Sequence, residues 1–136
     1  MNLLQKIALG ISGVTSLGIG SFILAAPHTF YASYGITLGF EPSLLSELRA
    51  PGAGLAAFGT IMLAGIFRQA LSQSAVVAAL TVFLAFPAGR VLSMAADGMP
   101  SSGIIGALIL ELAIAAFCLF AFRPRKHDAL RGMAAR

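Results

Sequence analysis

Charge is scarce through most of this chain. It has nine basic and five acidic residues in 136, and only Glu41, Glu47, Arg49, Arg68, Arg90, Asp97 and Glu111 fall between positions 7 and 122. With 58% hydrophobic residues against 10% charged, a domain of this size has too little interior to hide its apolar surface from water. A water-soluble globule is excluded, and a lipid bilayer is the solvent that suits the chain. Cysteine is as rare: Cys118 stands alone in an apolar run, so no intramolecular disulfide forms. The two histidines, His28 and His127, lie near segment ends and suggest no zinc or haem framework. Missing too are a glycine-rich phosphate loop, a nucleophile elbow and a paired HxxxH, so no cofactor, metal or catalytic residue is expected. Five of the nine basic residues, Arg123, Arg125, Lys126, Arg131 and Arg136, sit in the last 14 positions. That placement describes a juxtamembrane anchor, not a surface for nucleic acid.

What the chain does have is long apolar runs. A hydrocarbon core of about 30 Å takes about 20 apolar residues per helix, and four segments reach that length, at about 4–26, 50–70, 74–96 and 103–122. All four are expected to be helices, because a backbone in lipid must satisfy its own hydrogen bonds and barrel-type alternation is absent. The first run outlasts the ~7–15 residues of a signal-peptide core and lacks an A-x-A spacing, so it reads as a retained span. Short links near 71–73 and 98–102 make neighbouring helices antiparallel. The expected architecture is all-α: one integral membrane four-helix bundle over 1–122, followed by a basic tail at 123–136.

The only long link carries Phe30, Tyr31, Tyr34 and Phe40, aromatics that favour the headgroup level, and then a short helix-like stretch at 41–49. Lys6, Arg68 and the tail fall on one side, with only Arg49 and Arg90 on the other. The positive-inside rule then places both termini in the cytoplasm of an inner-membrane protein, with the aromatic link facing outward. Small residues recur every four positions, at Ser12, Ser16 and Gly20 and at Gly52, Ala56, Thr60 and Ala64. Such a ridge lets helices approach closely, within the chain or in a homo-oligomer.

Glu111 is the sharpest single residue. It lies eight positions after Gly103, roughly 12 Å into the last span, where insertion scales charge about 2.5–3.5 kcal/mol for an acid. Arg90 lies seven positions before Asp97, roughly 10 Å below the same end. Antiparallel neighbours at matching depth are expected to form an Arg90–Glu111 pair, a geometry guanidinium suits better than ammonium. Phe83, Arg90 and Asp97 share one helix face, with Phe86 and Met94 beside them, and Pro87 interrupts the backbone ladder there. Glu47 and Arg49, with Tyr31 and Tyr34, are the residues expected to close a polar vestibule above the pair. Three readings stand side by side: a structural network of Arg49, Arg90, Asp97 and Glu111 that fixes helix register, a ligand site, or acid–base chemistry.

Taken together, Pro27, Phe30-Tyr31 and Tyr34-Gly35, then Leu48-Arg49-Ala50 and Gly52, then Gly89-Arg90, Ser93, Asp97-Gly98 and Pro100, and finally Glu111, give the chain a family likeness. It resembles a bacterial domain-of-unknown-function family of short four-span membrane proteins, itself distantly similar to the DoxX-like membrane proteins. The likeness runs from about residue 3 to 122 and leaves the tail outside. It implies the four-helix membrane fold and these polar positions, and carries no established activity. The leading functional expectation is binding of a lipid-like or amphipathic small molecule, or service as an accessory subunit to a partner membrane protein, with membrane lipids around it. The alternatives are an acid–base enzyme of isomerase type using Glu111 and Asp97, and an oligomeric transporter.

Overall fold

A computed structural model describes residues 1–123. The chain forms α1 (Leu3–Ala25), α2 (Pro27–Ala32), α3 (Pro42–Phe67), α4 (Ser72–Asp97) and α5 (Ser102–Ala121). The helices α1, α3, α4 and α5 run alternately up and down, each long and apolar enough to cross a membrane. Large apolar side chains such as Val14, Leu92 and Ile109 are more than half exposed, as expected where lipid is the solvent. The chain is a multi-pass membrane protein built as an all-α four-helix bundle. With four alternating spans Met1 and Arg123 lie at one end of the bundle, the terminal end, and α2 marks the opposite end. Arg123 lies over the Phe120 ring at 4.3 Å, and the rest of the expected tail falls outside the described residues.

Local chemistry explains three of the boundaries. Asn2 caps α1 reciprocally: its side chain accepts from the Gln5 amide at 2.8 Å, and its own amide donates to the Gln5 side chain at 3.1 Å. Pro27 opens α2 at a position whose N–H has no helical partner. Gly98 ends α4 with φ 98°, a left-handed conformation open to glycine.

Two expectations are corrected. The stretch at 41–49 and the second span are one continuous helix, α3, and Pro51 does not break it. The ring removes a single backbone donor, to Glu47, near the start of the helix. At 26 residues α3 reaches about 39 Å, so its first turns extend past a 30 Å core. The aromatic segment after the first span is also not all loop, since it contains α2. The limits of α1, α4 and α5 fall within two residues of those expected, and α3 ends at Phe67, three residues before the expected limit.

The tightest seam joins α1 and α3. A Cβ on Gly20 would stand 2.5 Å from the Gly52 carbonyl oxygen, and one on Gly59 would stand 2.8 Å from that of Gly13. Across it the Ser16 hydroxyl donates to the Leu55 carbonyl at 2.9 Å. The seam therefore follows glycines seven residues apart, 13 and 20 against 52 and 59, more than the four-residue series expected. Thr60, in that series, is exposed and donates to Ala56 of its own helix.

Packing differs along the bundle. In the first half of α4, Ala75, Ala78, Ala79 and Val82 are buried. Beyond Pro87 the same side presents Gly89, Arg90 and Ser93 to open space, and the bundle widens toward α2.

Candidate functional site

That widening forms a cavity of about 810 Å³ between α1, α4 and α5, roofed by α2. Its volume lies within the range of small-molecule sites. Ile19 and Ile23 of α1, Phe83 and Phe86 of α4, and Ala107 and Leu110 of α5 give apolar walls. Thr15 and Ser16 reach its deep end, although the Ser16 hydroxyl is already committed to Leu55.

The polar feature of the wall is the pair between α4 and α5. Arg90 donates from Nε to Glu111 Oε2 at 2.9 Å and from Nη2 to Oε1 at 3.0 Å. Glu111 is buried, and the Arg90 side chain keeps 27% of its exposure. The fork satisfies both carboxylate oxygens, which lets an acid stand within a span.

The roof is aromatic. Phe30 is buried, with edge-on contacts to Tyr31 and Tyr34 at 5.2 Å each and to Phe22 at 5.5 Å. Ser101 donates to the Tyr34 carbonyl at 2.7 Å, and Gly103 packs beside the Tyr34 ring, tying α2 to the start of α5. Burial pushes the Tyr31 phenol above its ordinary 10.0; Arg90 partly opposes this, and Tyr34 adds to it. Tyr31 therefore remains a hydrogen-bond donor at neutral pH. Ultraviolet titration is expected to show a phenol ionising above 10.0 that disappears in Tyr31→Phe. Because the folded-state value is raised, this group's contribution to stability is intact below the ordinary value and lost as pH climbs through the raised one. Titration of Tyr31 at its ordinary 10.0 would contradict that burial.

The other expected residues stand apart. Asp97 is exposed and accepts from Ser93 at 3.0 Å, one turn back on α4. Among the described residues it has no ion pair with Arg90 or Arg49. Arg49 donates from Nε to the Leu24 carbonyl at 3.1 Å and lines a separate groove with Phe40, Pro42 and Leu45. Glu47 is exposed and lines neither space. The expected vestibule lid of Glu47 and Arg49 is not formed, because continuous α3 turns them away from the cavity. His28 also serves the link: its ring nitrogen meets the Gly39 carbonyl at 3.1 Å and the ring stacks on Phe40 at 4.6 Å.

Sequence reasoning did not assign Gly106 or the space beside Gly89 to the site. Both line the cavity, and a Cβ on either would meet nothing within 4 Å, so neither position fills it. Among the described residues no cluster of His, Cys, Asp and Glu has a metal-holding arrangement. Cys118 is buried against Ser12, 3.2 Å away, toward the terminal end.

No curated protein and no solved structure matches this chain. The family described as Domain of unknown function (DUF4345) matches residues 4–122, nearly all of the bundle, and the chain belongs to that family.

Proposed function

We propose that this small membrane protein binds an amphipathic small molecule in the cavity between α1, α4 and α5, with the polar head at Arg90 and Glu111. The observation that carries this reading is the placement of the bidentate pair in the wall of an otherwise apolar space of about 810 Å³. A pair serving helix register alone would need no space beside it. Tyr31 and Tyr34 close the head region, while the apolar walls suit a chain or ring.

The basic residues support an orientation with both termini in the cytoplasm and the α2 end facing outward. A bacterial inner-membrane setting and a distant kinship with DoxX-like proteins belong to the same proposal, supported by the sequence motifs. So does a supporting role beside a partner membrane protein or a second copy, which the exposed apolar faces leave room for. Acid–base catalysis is less well supported, since Glu111 gives both oxygens to Arg90. Transport is disfavoured by the packed terminal half, where Leu9, Met62 and Ala75 are fully buried.

Native mass spectrometry of the protein in mild detergent tests the binding reading. The wild type is expected to retain a small molecule that is lost from the double variant Arg90→Met with Glu111→Leu, which keeps side-chain volume and removes the polar head contacts. A wild-type protein that is empty throughout would overturn it.

A further inference from the structure

Net charge sets the class of ligand. Among the described residues Arg90 and Glu111 are the only charged ones lining the cavity, and they already neutralise each other through two hydrogen bonds. An anionic head would have to draw Arg90 away and strand a carboxylate within a span, or lie beside a guanidinium whose charge is already matched. Both arrangements are unfavourable for a buried carboxylate within a span. A cationic head would meet the mirror-image conflict.

The hydrogen bonding left over points the same way. Arg90 Nη1 and the hydroxyls of Tyr31 and Tyr34 make no hydrogen bond to any described residue. All three carry N–H or O–H donors. The head region is thus neutral overall and rich in donors, which fits an oxygen acceptor without charge. Gly89 and Gly106 line the cavity without filling it, and with its apolar walls leave room for an apolar chain. Arg49, by contrast, has no carboxylate partner among the described residues and lies in another groove.

Resting on the binding reading above, we infer that the ligand is an uncharged amphiphile whose head bears a carbonyl or hydroxyl oxygen, and that the Arg90–Glu111 pair selects it against anionic lipids of the same chain. Glu111 is then a specificity residue, because its charge cancels the attraction Arg90 would offer to a carboxylate or phosphate.

The test uses a feature of the composition. The chain has no tryptophan and only two tyrosines, and both line this cavity. Brominated chains that enter it will quench tyrosine fluorescence on contact. Full-length protein in detergent micelles is titrated at pH 9 with dibromostearyl alcohol and with dibromostearate, each expressed as mole fraction in the micelle. The alcohol is expected to reach half-quenching at a fraction on the order of tenfold lower than the carboxylate. In Glu111→Gln, which keeps an acceptor for Arg90 but removes the negative charge, that preference is expected to fall about tenfold or reverse. Should Glu111→Gln fold poorly, the wild-type comparison still decides. Carboxylate binding equal to or tighter than alcohol binding in the wild type overturns the inference and leaves ligand binding standing. An unchanged preference in folded Glu111→Gln overturns the role of Glu111. Quenching by neither probe overturns the binding reading itself, and this inference with it.

Discussion

Arg90→Ala is expected to destabilise the bundle by about 3–5 kcal/mol, among the largest effects of any single substitution. Removing the guanidinium leaves Glu111, which is 8% exposed, as a carboxylate with no partner. The penalty comes mainly from that stranded acid and much less from the lost attraction, because pairing had to offset the desolvation of two ions. The double replacement Arg90→Met with Glu111→Leu is therefore expected to be near neutral, or stabilising by about 1 kcal/mol. SDS titration in mixed micelles, followed by far-ultraviolet circular dichroism, measures both, and the non-additivity of the two single changes isolates the coupling. If Arg90→Ala shifted the midpoint no more than a lipid-facing substitution does, the pair would have no structural weight. Stability and binding then separate: the double variant should fold while its cavity has lost the polar head.

The legible parts of this molecule were those set by one-dimensional constraints. Span number followed from the length of a lipid core, and the depths of Arg90 and Glu111 followed from helical rise. An acid within a span has few options, so its partner could be named from position alone. Asp97 was misleading for a related reason. It does share a helix face with Arg90, but it sits at the end of α4 where Ser93, one turn away, accommodates it without an ion pair. Arg49 and Glu47 could not be placed until α3 was known to run unbroken through Pro51. Once Gly52 is set against α1, helical phase turns Glu47 about 140° away from that contact. It also brings Arg49 to the Leu24 carbonyl. The cavity was the least legible feature, since its volume depends on how the helices spread toward α2, where Gly89 and Gly106 line it. A glycine in sequence reads alike whether a helix lies against it, as at Gly59, or nothing does, as at Gly106.

Gly59→Leu is the second large effect, and it probes the seam against which the cavity opens. A Cβ at residue 59 would stand 2.8 Å from both the Gly13 carbonyl oxygen and the Leu17 Cα. Overpacking usually costs about 1–3 kcal/mol because neighbouring side chains can shift. Here the obstacles are backbone atoms of α1, so the helices themselves must part. A loss of about 3 kcal/mol or more is expected. Gly18→Leu is the control: nothing lies within 4 Å of a Cβ there, and a change within about 0.5 kcal/mol is expected. Parting α1 from α3 would also lengthen the 2.9 Å bond from Ser16 to Leu55. Because Ser16, Ile19, Ile23 and Leu55 line the cavity, quenching by dibromostearyl alcohol should weaken in Gly59→Leu even where the protein remains folded. Equal stability of Gly59→Leu and Gly18→Leu would mean that α1 and α3 do not meet backbone to backbone. In that case the rigid wall opposite Arg90 and Glu111, on which the shape of the cavity depends, would be gone.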